Sequence, residues 1–274
     1  MKFGAKHLDL SIPHVMGILN VTPDSFSDGG SFTHIDKALK QVETMINHGA
    51  TLIDVGGEST RPGAADVTTA DELKRVIPVI DAINNRFDVV ISLDTSKREV
   101  ITAGIEHGVG LINDVRALQN EGCLAAVAQS DIPVCLMHMQ GLPRTMQQNP
   151  VYKDVVSDII DFFQQRISAC EHLGIDKQRI ILDPGYGFGK TLEQNYQLLA
   201  RQAELLTLGL PVLAGLSRKS MIGNLLGRDV EQRLAGSLSA AVLATINGAK
   251  IIRVHDVKET VDALKVLTAT LKTI

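Results

Sequence analysis

The sequence lacks several features that would assign it to a particular class of protein. No apolar run among its 274 residues is long enough to span a bilayer, and residues 1–10 lack the apolar core of a signal peptide. The net charge is −4, and the basic residues are spread along the chain rather than clustered. We therefore expect a cytoplasmic protein whose main partners are neither nucleic acids nor membranes.

Cysteine is scarce, and neither linkers nor low-complexity tracts interrupt the chain. Cys123, Cys135 and Cys170 have no metal-ligand spacing and form no even disulfide set, so we expect them to be small buried apolar side chains. The composition does not shift along the sequence, whose hydrophobic fraction is 45%. We therefore expect one domain over residues 1–274.

What the sequence does contain is one repeated pattern: a short apolar run, a polar or glycine-rich turn, and an amphipathic stretch. Eight such runs end at or just before Asn20, Glu58, Asp94, Asn113, His138, Asp183, Gly215 and Arg253. Continuous apolar strands are typical of a parallel sheet that is covered on both faces. Eight strand-then-helix units in about 250 residues predict an α/β fold, a single (β/α)8 TIM barrel. A doubly wound open sheet is the alternative, because strand order cannot be read from one sequence.

Seven of these eight strand exits are polar. Each one alone is well explained as a helix cap or turn residue. In a barrel, however, the carboxyl ends of the strands converge on the active site. Carboxylates and amides gathered there predict a site for a small polar heterocycle, whose hydrogen-bonding groups need partners.

Residues 180–191 resemble a phosphate-binding loop without matching one. Pro184 stands where the Walker template has its first glycine, and the three alternating glycines lack the spacing of a dinucleotide fingerprint. We interpret the stretch as a buried strand that ends at Asp183, followed by backbone that passes close to another part of the molecule. Lys190 is expected to be a solvated residue at a helix start.

Loops near the end of the chain predict an anion site. Residues 215–220 follow the seventh predicted strand and residues 253–256 the eighth, where this fold usually binds phosphate. Arg253 and His255 supply charge-assisted donors there. Loops 20–30 and 58–63 are either surface connections or lids over a substrate, and Phe26 and Arg61 suit the second role.

These motifs resemble the dihydropteroate synthase family, pterin-binding enzymes of folate biosynthesis. The resemblance covers nearly the whole chain and rests on residues 20–30, 54–63, 92–95, 112–115, 182–190, 217–220 and 253–256. It implies a transferase that condenses dihydropterin pyrophosphate with p-aminobenzoate, uses Mg²⁺, forms a homodimer and is a sulfonamide target.

The resemblance also assigns roles to side chains. The pterin would be bound by Asp94, Asn113, Asp183 and Lys219, with Met137 and Ile112 against its ring faces. For these last two, ordinary core packing is an equally good interpretation. The pyrophosphate and Mg²⁺ would be held by Asn20, Arg253 and His255, with Asn20 as the metal ligand. The p-aminobenzoate would be surrounded by Phe26, Arg61, Phe188, Ser217 and Lys219, with Thr60 and Asp28 closing the loops.

The expected mechanism is dissociative, because an electron-rich dihydropterin stabilises positive charge at its methylene group. Asn20, Lys219, Arg253 and His255 would then act by anchoring the leaving group and stabilising charge. Three alternatives are a pterin-binding methyltransferase domain, a Schiff-base aldolase and a catalytically silent pterin-binding protein. The first has no need of the anion site, the second requires a lysine within a strand, and the third leaves the phosphate site without a purpose.

Overall fold

In a computed structural model of the chain, the structure describes residues 1–22, 31–58, 66–141, 146 and 150–273, with only the backbone of 31–33. Within these residues, eight parallel strands form a closed barrel: β3 (His14–Asn20), β4 (Leu52–Gly56), β5 (Val90–Asp94), β6 (Leu111–Asp114), β7 (Val134–Met137), β8 (Ile180–Asp183), β9 (Val212–Ala214) and β10 (Ala249–Val254). Each strand pairs with the next along the chain, and β10 closes the barrel against β3. The predicted TIM barrel is confirmed, and the open sheet is excluded.

Helices follow the barrel strands and cover their outer faces. They are α1 (Ser31–Asn47), α2 (Thr69–Arg86), α3 (Arg98–Glu106), α4 (Cys123–Ala128), α5 (Val155–His172), α6 (Leu192–Ala200), α7 (Ser220–Leu226), α8 (Leu234–Ile246) and α9 (Val257–Leu271). The sequence explains their positions. Helix α2, for example, starts after Thr68, whose side chain accepts a hydrogen bond from the Asp71 amide, and it buries the predicted stripe of Val76, Ile80 and Ile83.

The apolar core has two parts, because side chains alternate between the two faces of a strand. The larger part lies between the strands and the helices. The smaller part fills the barrel interior with Met16, Leu52, Val90, Leu111, Cys135, Ile181, Leu213 and Ile251. The amino-terminal hairpin of β1 (Lys2–Phe3) and β2 (Lys6–His7), which the sequence pattern did not reveal, adds Phe3 to this interior cluster.

The structure also shows the state of the cysteines and the length and polarity of the helices. The three cysteines are free and buried, so their interpretation as small core side chains is confirmed. Over the described parts of the chain, every helix is too short or too polar to cross a membrane.

Candidate active site

The inner face of the barrel changes from apolar to polar along the strands. Two residues beyond the interior cluster, the same face carries Ile18, Asp54, Ser92, Asn113, Met137, Asp183, Gly215 and Arg253. At the barrel mouth, the strand register places Asn20 beside Gly56, Gly56 beside Asp94 and Asp94 beside Asn113. The structure therefore brings together five of the predicted site residues: Asn20, Asp94, Asn113, Asp183 and Arg253.

Arg253 connects two carboxylates across the barrel interior. Its Nε donates to Asp54 Oδ2 at 2.6 Å, and one terminal nitrogen donates to Asp94 Oδ2 at 2.9 Å. Burial alone would disfavour the charge on Arg253, but the two carboxylates outweigh it and raise the pKa of the guanidinium above its ordinary value. Burial and the neighbouring Asp54 raise the pKa of Asp94 to about 7, although Arg253 opposes the shift.

Asp54 is the most deeply buried member of this network, and sequence reasoning did not select it. It is 0% exposed and also accepts hydrogen bonds from Ser92 Oγ at 2.5 Å and from Asn113 Nδ2 at 3.2 Å. Through it, the orientations of Asn113 and Arg253 depend on each other. The missed signal was a lone carboxylate inside the apolar run of the second predicted strand, since an unpaired charge is rarely buried.

A second cluster lies where β8 and β9 end. Lys219 Nζ donates to the carbonyl of Tyr186 and lies 4.4 Å from the centre of the Phe188 ring. Burial lowers the pKa of Lys219 to about 8, although Asp183 opposes this shift. Burial raises the pKa of Asp183, against the effect of Lys219. Lys219 can therefore donate a hydrogen bond to a bound ring, and Asp183 can accept hydrogen bonds from the same ring.

The three glycines after Asp183 are explained by close backbone approaches. Gly185, Gly187 and Gly189 have φ values of +68°, +80° and +60°. A Cβ atom at Gly185 would lie 1.9 Å from the His138 carbonyl oxygen, and one at Gly189 would lie 2.3 Å from that of Gln140. The expectation that this backbone passes close to another segment is confirmed, and that segment is the chain leaving β7.

Lys190 corrects a prediction, because it is not solvated. It is 2% exposed, and its Nζ donates to the carbonyls of Gly185 at 2.8 Å and Phe188 at 3.0 Å. His138 Nδ1 lies 3.1 Å from the same nitrogen. The prediction was wrong because a lysine before a helix usually reaches water, whereas here the loop curls around the side chain. His138, which was predicted at a strand exit, is therefore buried against Lys190 of the glycine loop.

Ile112 requires a second correction. It is 0% exposed and belongs to the core between strands and helices, because its neighbour Asn113 faces the interior. The structure therefore does not place Ile112 against a ring bound in the barrel, and core packing is the correct interpretation. Met137 lies on the inner face, in register with Asp183, at 3% exposure.

The predicted anion loops lie side by side. Ser217 Oγ is 3.1 Å from His255 Nδ1 and accepts a hydrogen bond from the His255 amide at 3.2 Å. Between Ser217 and Lys219, Arg218 has a φ of +57° and forms an ion pair with Asp256. This left-handed residue turns the chain so that Ser217 meets His255 while Lys219 meets the glycine loop.

Some polar residues near the strand ends have partners away from the barrel mouth. Glu58 forms an ion pair with Lys97, which also pairs with the fully buried Glu72. Asp114 caps the turn after β6, where it accepts from the amides of Arg116 and Leu118. Four predicted substrate contacts lie outside the described residues: Phe26, Asp28, Thr60 and Arg61.

Comparisons with known proteins agree with this geometry. A family model described as pterin binding enzyme matches residues 16–255. Dihydropteroate synthase of Escherichia coli (strain K12) is 59% identical over 264 residues, which span 96% of this chain and 94% of that protein. A Yersinia pestis dihydropteroate synthase with a sulfonamide drug complex superposes with a TM-score of 0.95 at 55% identity, over 99% of each chain. The Xanthomonas albilineans enzyme in complex with 7,8-dihydropteroate gives a TM-score of 0.88 at 49% identity, over 96% of this chain and 95% of that one.

Proposed function

Because the chain belongs to the pterin binding enzyme family, we propose that it catalyses the dihydropteroate synthase reaction. In this reaction 6-hydroxymethyl-7,8-dihydropterin pyrophosphate and p-aminobenzoate give 7,8-dihydropteroate and pyrophosphate. The observation that carries the proposal is the polar inner wall of the barrel mouth. Relatives named dihydropteroate synthase, which match nearly the whole chain, support it. The similarity to an enzyme that was solved with a sulfonamide drug supports the proposal that this protein is also a sulfonamide target.

The proposed pterin site is the wall formed by Asp94, Asn113, Asp183 and Lys219. Asp183 is 6% exposed, and its Oδ1 already accepts from the Gly185 amide at 2.8 Å, which fixes the carboxylate plane. Its remaining acceptor capacity suits the N3–H and 2-amino groups of the pterin ring, while Lys219 donates to the ring carbonyl. Met137 supplies an apolar contact on the same wall.

The proposed p-aminobenzoate site adjoins it at Phe188, Ser217 and Lys219. The Phe188 ring offers an apolar face, and the Ser217 hydroxyl offers a polar group beside His255. The amine would thereby approach the pterin methylene from the side of the glycine loop.

Asn20, Arg253 and His255 are proposed to hold the pyrophosphate. Mg²⁺ fits this donor set, since Asn20 offers a carboxamide oxygen at the mouth and Mg²⁺ takes few protein ligands when phosphates supply the others. The chemistry that Mg²⁺ supplies when bound is neutralisation of charge on the leaving group. Arg253 has its Nε and one terminal nitrogen engaged inside the barrel, so it is held rigidly beside that group.

We propose a dissociative order of bond changes. The bond between the methylene carbon and the pyrophosphate oxygen breaks first, and the electron pair leaves with pyrophosphate. The carboxylates of Asp94 and Asp183 lie near the resulting pterin cation and lower its energy. The amine lone pair then forms the new C–N bond, and the resulting ammonium releases one proton to solvent.

One assay tests both the reaction and its order. The protein is mixed with dihydropterin pyrophosphate and Mg²⁺, and pyrophosphate release is measured with and without p-aminobenzoate. Release over many turnovers that requires the enzyme and both substrates establishes the activity, while its absence would indicate a silent pterin-binding protein. A single-turnover burst without the amine supports the dissociative order, and strict dependence on the amine contradicts it.

A homodimer in the cytoplasm completes the proposal. On α8 and α9 the side chains of Leu243, Ile246, Val266 and Leu271 are about half or more exposed, at 49%, 55%, 69% and 52%. Such apolar exposure suits a subunit contact, and free buried cysteines suit a reducing compartment. Sedimentation velocity of the purified protein tests the dimer, and a monomer at micromolar concentration would contradict it.

A further inference from the structure

The glycine loop between β8 and α6 has no regular secondary structure, yet side chains satisfy its backbone carbonyls one after another. The carbonyl of Tyr186 accepts from Lys219, and that of Gly189 accepts from the Tyr152 hydroxyl at 2.7 Å. Asn195 binds the loop from the helix side, where it accepts from the Gly187 amide at 2.7 Å. Its own backbone adds one hydrogen bond, from the Phe188 amide to the Gly185 carbonyl at 3.1 Å, so side chains supply most of the contacts that shape the loop.

Lys190 is the group at the centre of this loop. Its Nζ has three partners at hydrogen-bonding distance: the carbonyls of Gly185 and Phe188, at 2.8 Å and 3.0 Å, and His138 Nδ1, at 3.1 Å. An ammonium group has three N–H donors, so its hydrogen-bonding capacity is fully used. The side chain is 2% exposed and so is sealed off from solvent.

The two carbonyls that Lys190 binds lie on either side of Tyr186, whose own carbonyl binds Lys219. The second of them belongs to Phe188, whose ring lies against the Lys219 ammonium. The buried lysine and the lysine at the site thus bind carbonyls of the same short stretch of backbone, residues 185–188. Burial lowers the pKa of both amines, and the nearby carboxylate of Asp183 opposes the shift in each case.

We propose that Lys190 is a positioning residue for the p-aminobenzoate side of the site, acting through the carbonyls of Gly185 and Phe188 to place the Phe188 ring and Lys219. The proposal rests on the proposed function, since it assigns Phe188 and Lys219 to substrate binding. This role differs from that of a phosphate-binding lysine, which has to reach solvent and ligand, whereas Lys190 is buried.

The test compares two full-length variants with the wild type in two-substrate steady-state kinetics. Lys190→Met keeps most of the length of the side chain but removes all three donors, which leaves the Phe188 carbonyl without its side-chain partner and the Gly185 carbonyl with only the Phe188 amide. Tyr152→Phe is the matched control, because it removes one hydrogen bond to the same loop at Gly189 and leaves the contacts to Gly185 and Phe188 intact. Both variants are first checked for a cooperative urea transition.

In Lys190→Met we expect the KM for p-aminobenzoate to rise about tenfold, the effect of a small displacement of a contact group. The KM for the pterin substrate should rise less, by about threefold, since Lys219 also contacts the pterin whereas Asp94 and Asn113 lie on other strands. Tyr152→Phe should leave both KM values within about twofold. Equal kinetic effects of the two variants, or unchanged constants in Lys190→Met, would overturn the proposal.

Two further outcomes also decide the question. A Lys190→Met variant that does not fold would show that the lysine serves the fold itself, and the positioning role would be rejected. A wild-type protein that releases no pyrophosphate would contradict the proposed function, and the inference with it. An active wild type alongside an unaffected variant would contradict the inference alone.

Discussion

Arg253 and Asp54 form an ion pair inside the barrel, with Arg253 Nε 2.6 Å from Asp54 Oδ2. The two residues are on β10 and β4, with β3 between them, so the pair links two strands that are not themselves hydrogen-bonded. Asp54 is fully buried, whereas the Arg253 side chain is 21% exposed at the mouth. The same guanidinium thus stabilises a core carboxylate and faces the proposed pyrophosphate site.

The first prediction concerns this double role. Arg253→Met should lower the free energy of unfolding by about 3–5 kcal/mol, because it leaves Asp54 buried without its cation. Adding Asp54→Asn should recover much of that loss. Urea unfolding measures both effects, and Arg201→Met is the control, because Arg201 pairs with Asp154 on the surface and its loss should change stability by less than about 1 kcal/mol. Equal stability of Arg253→Met and the wild type would contradict this account.

The second prediction concerns Asp94. Its pKa is raised from 3.8 to about 7, chiefly by burial and Asp54, so the folded state disfavours the charged form. Between these pH values the folded protein binds more protons at Asp94 than the unfolded chain, so this residue makes stability fall as pH rises through the interval. Asp94→Asn should therefore be more stable than the wild type at pH 8, by about 1–2 kcal/mol. The advantage should shrink towards pH 4.

The measurement is urea unfolding of both proteins over that pH range. A constant difference across the range would mean that Asp94 does not titrate there. The same variant should bind the pterin substrate at least about tenfold more weakly, since an amide keeps only one acceptor oxygen and has an uncharged N–H donor in place of the second. Function and stability are thus opposed at this residue.

The third prediction is a narrow pH profile of kcat/KM for the pterin substrate. Activity should rise with pH as Asp94 loses its proton near pH 7 and should fall as Lys219 loses its proton near pH 8. Lys219→Arg keeps the charge at high pH and should remove the falling limb, at reduced overall activity. A falling limb that persists in Lys219→Arg would have to come from another group.

The fourth prediction separates backbone strain from steric overlap. Gly185→Ala and Gly174→Ala both force alanine into the left-handed region, since the φ values are +68° and +82°. At Gly174 nothing lies within 4 Å of the added Cβ, so a loss of about 1 kcal/mol is expected. At Gly185 the Cβ would lie 1.9 Å from the His138 carbonyl, so the loss should exceed about 3 kcal/mol. Similar unfolding free energies for the two variants would show that the loop moves away at little cost.

Much of this protein follows from local sequence pattern. The eight continuous apolar runs determined a parallel α/β sheet and predicted a barrel, because such strands need cover on both faces and the strand-helix alternation leaves few topologies. The same reasoning located the mouth residues Asn20, Asp94, Asn113, Asp183 and Arg253, since strand ends converge in a barrel. The three alternating glycines after Asp183 also predicted that the backbone passes close to another segment, although they did not show which segment.

Tertiary structure alone decided which side chains face one another. Ile112 and Asn113 are adjacent in sequence but lie on opposite faces of β6, and one residue of register separates core from site. From sequence, Lys190 is expected in solvent at a helix start, but in the structure its own loop encloses it. Asp54 lies within an apolar run, and its partner Arg253 comes from the last strand, 199 residues later. Sequence pattern reports which groups are buried or exposed on average, but hydrogen-bond partners distant in the chain are set only when the barrel closes.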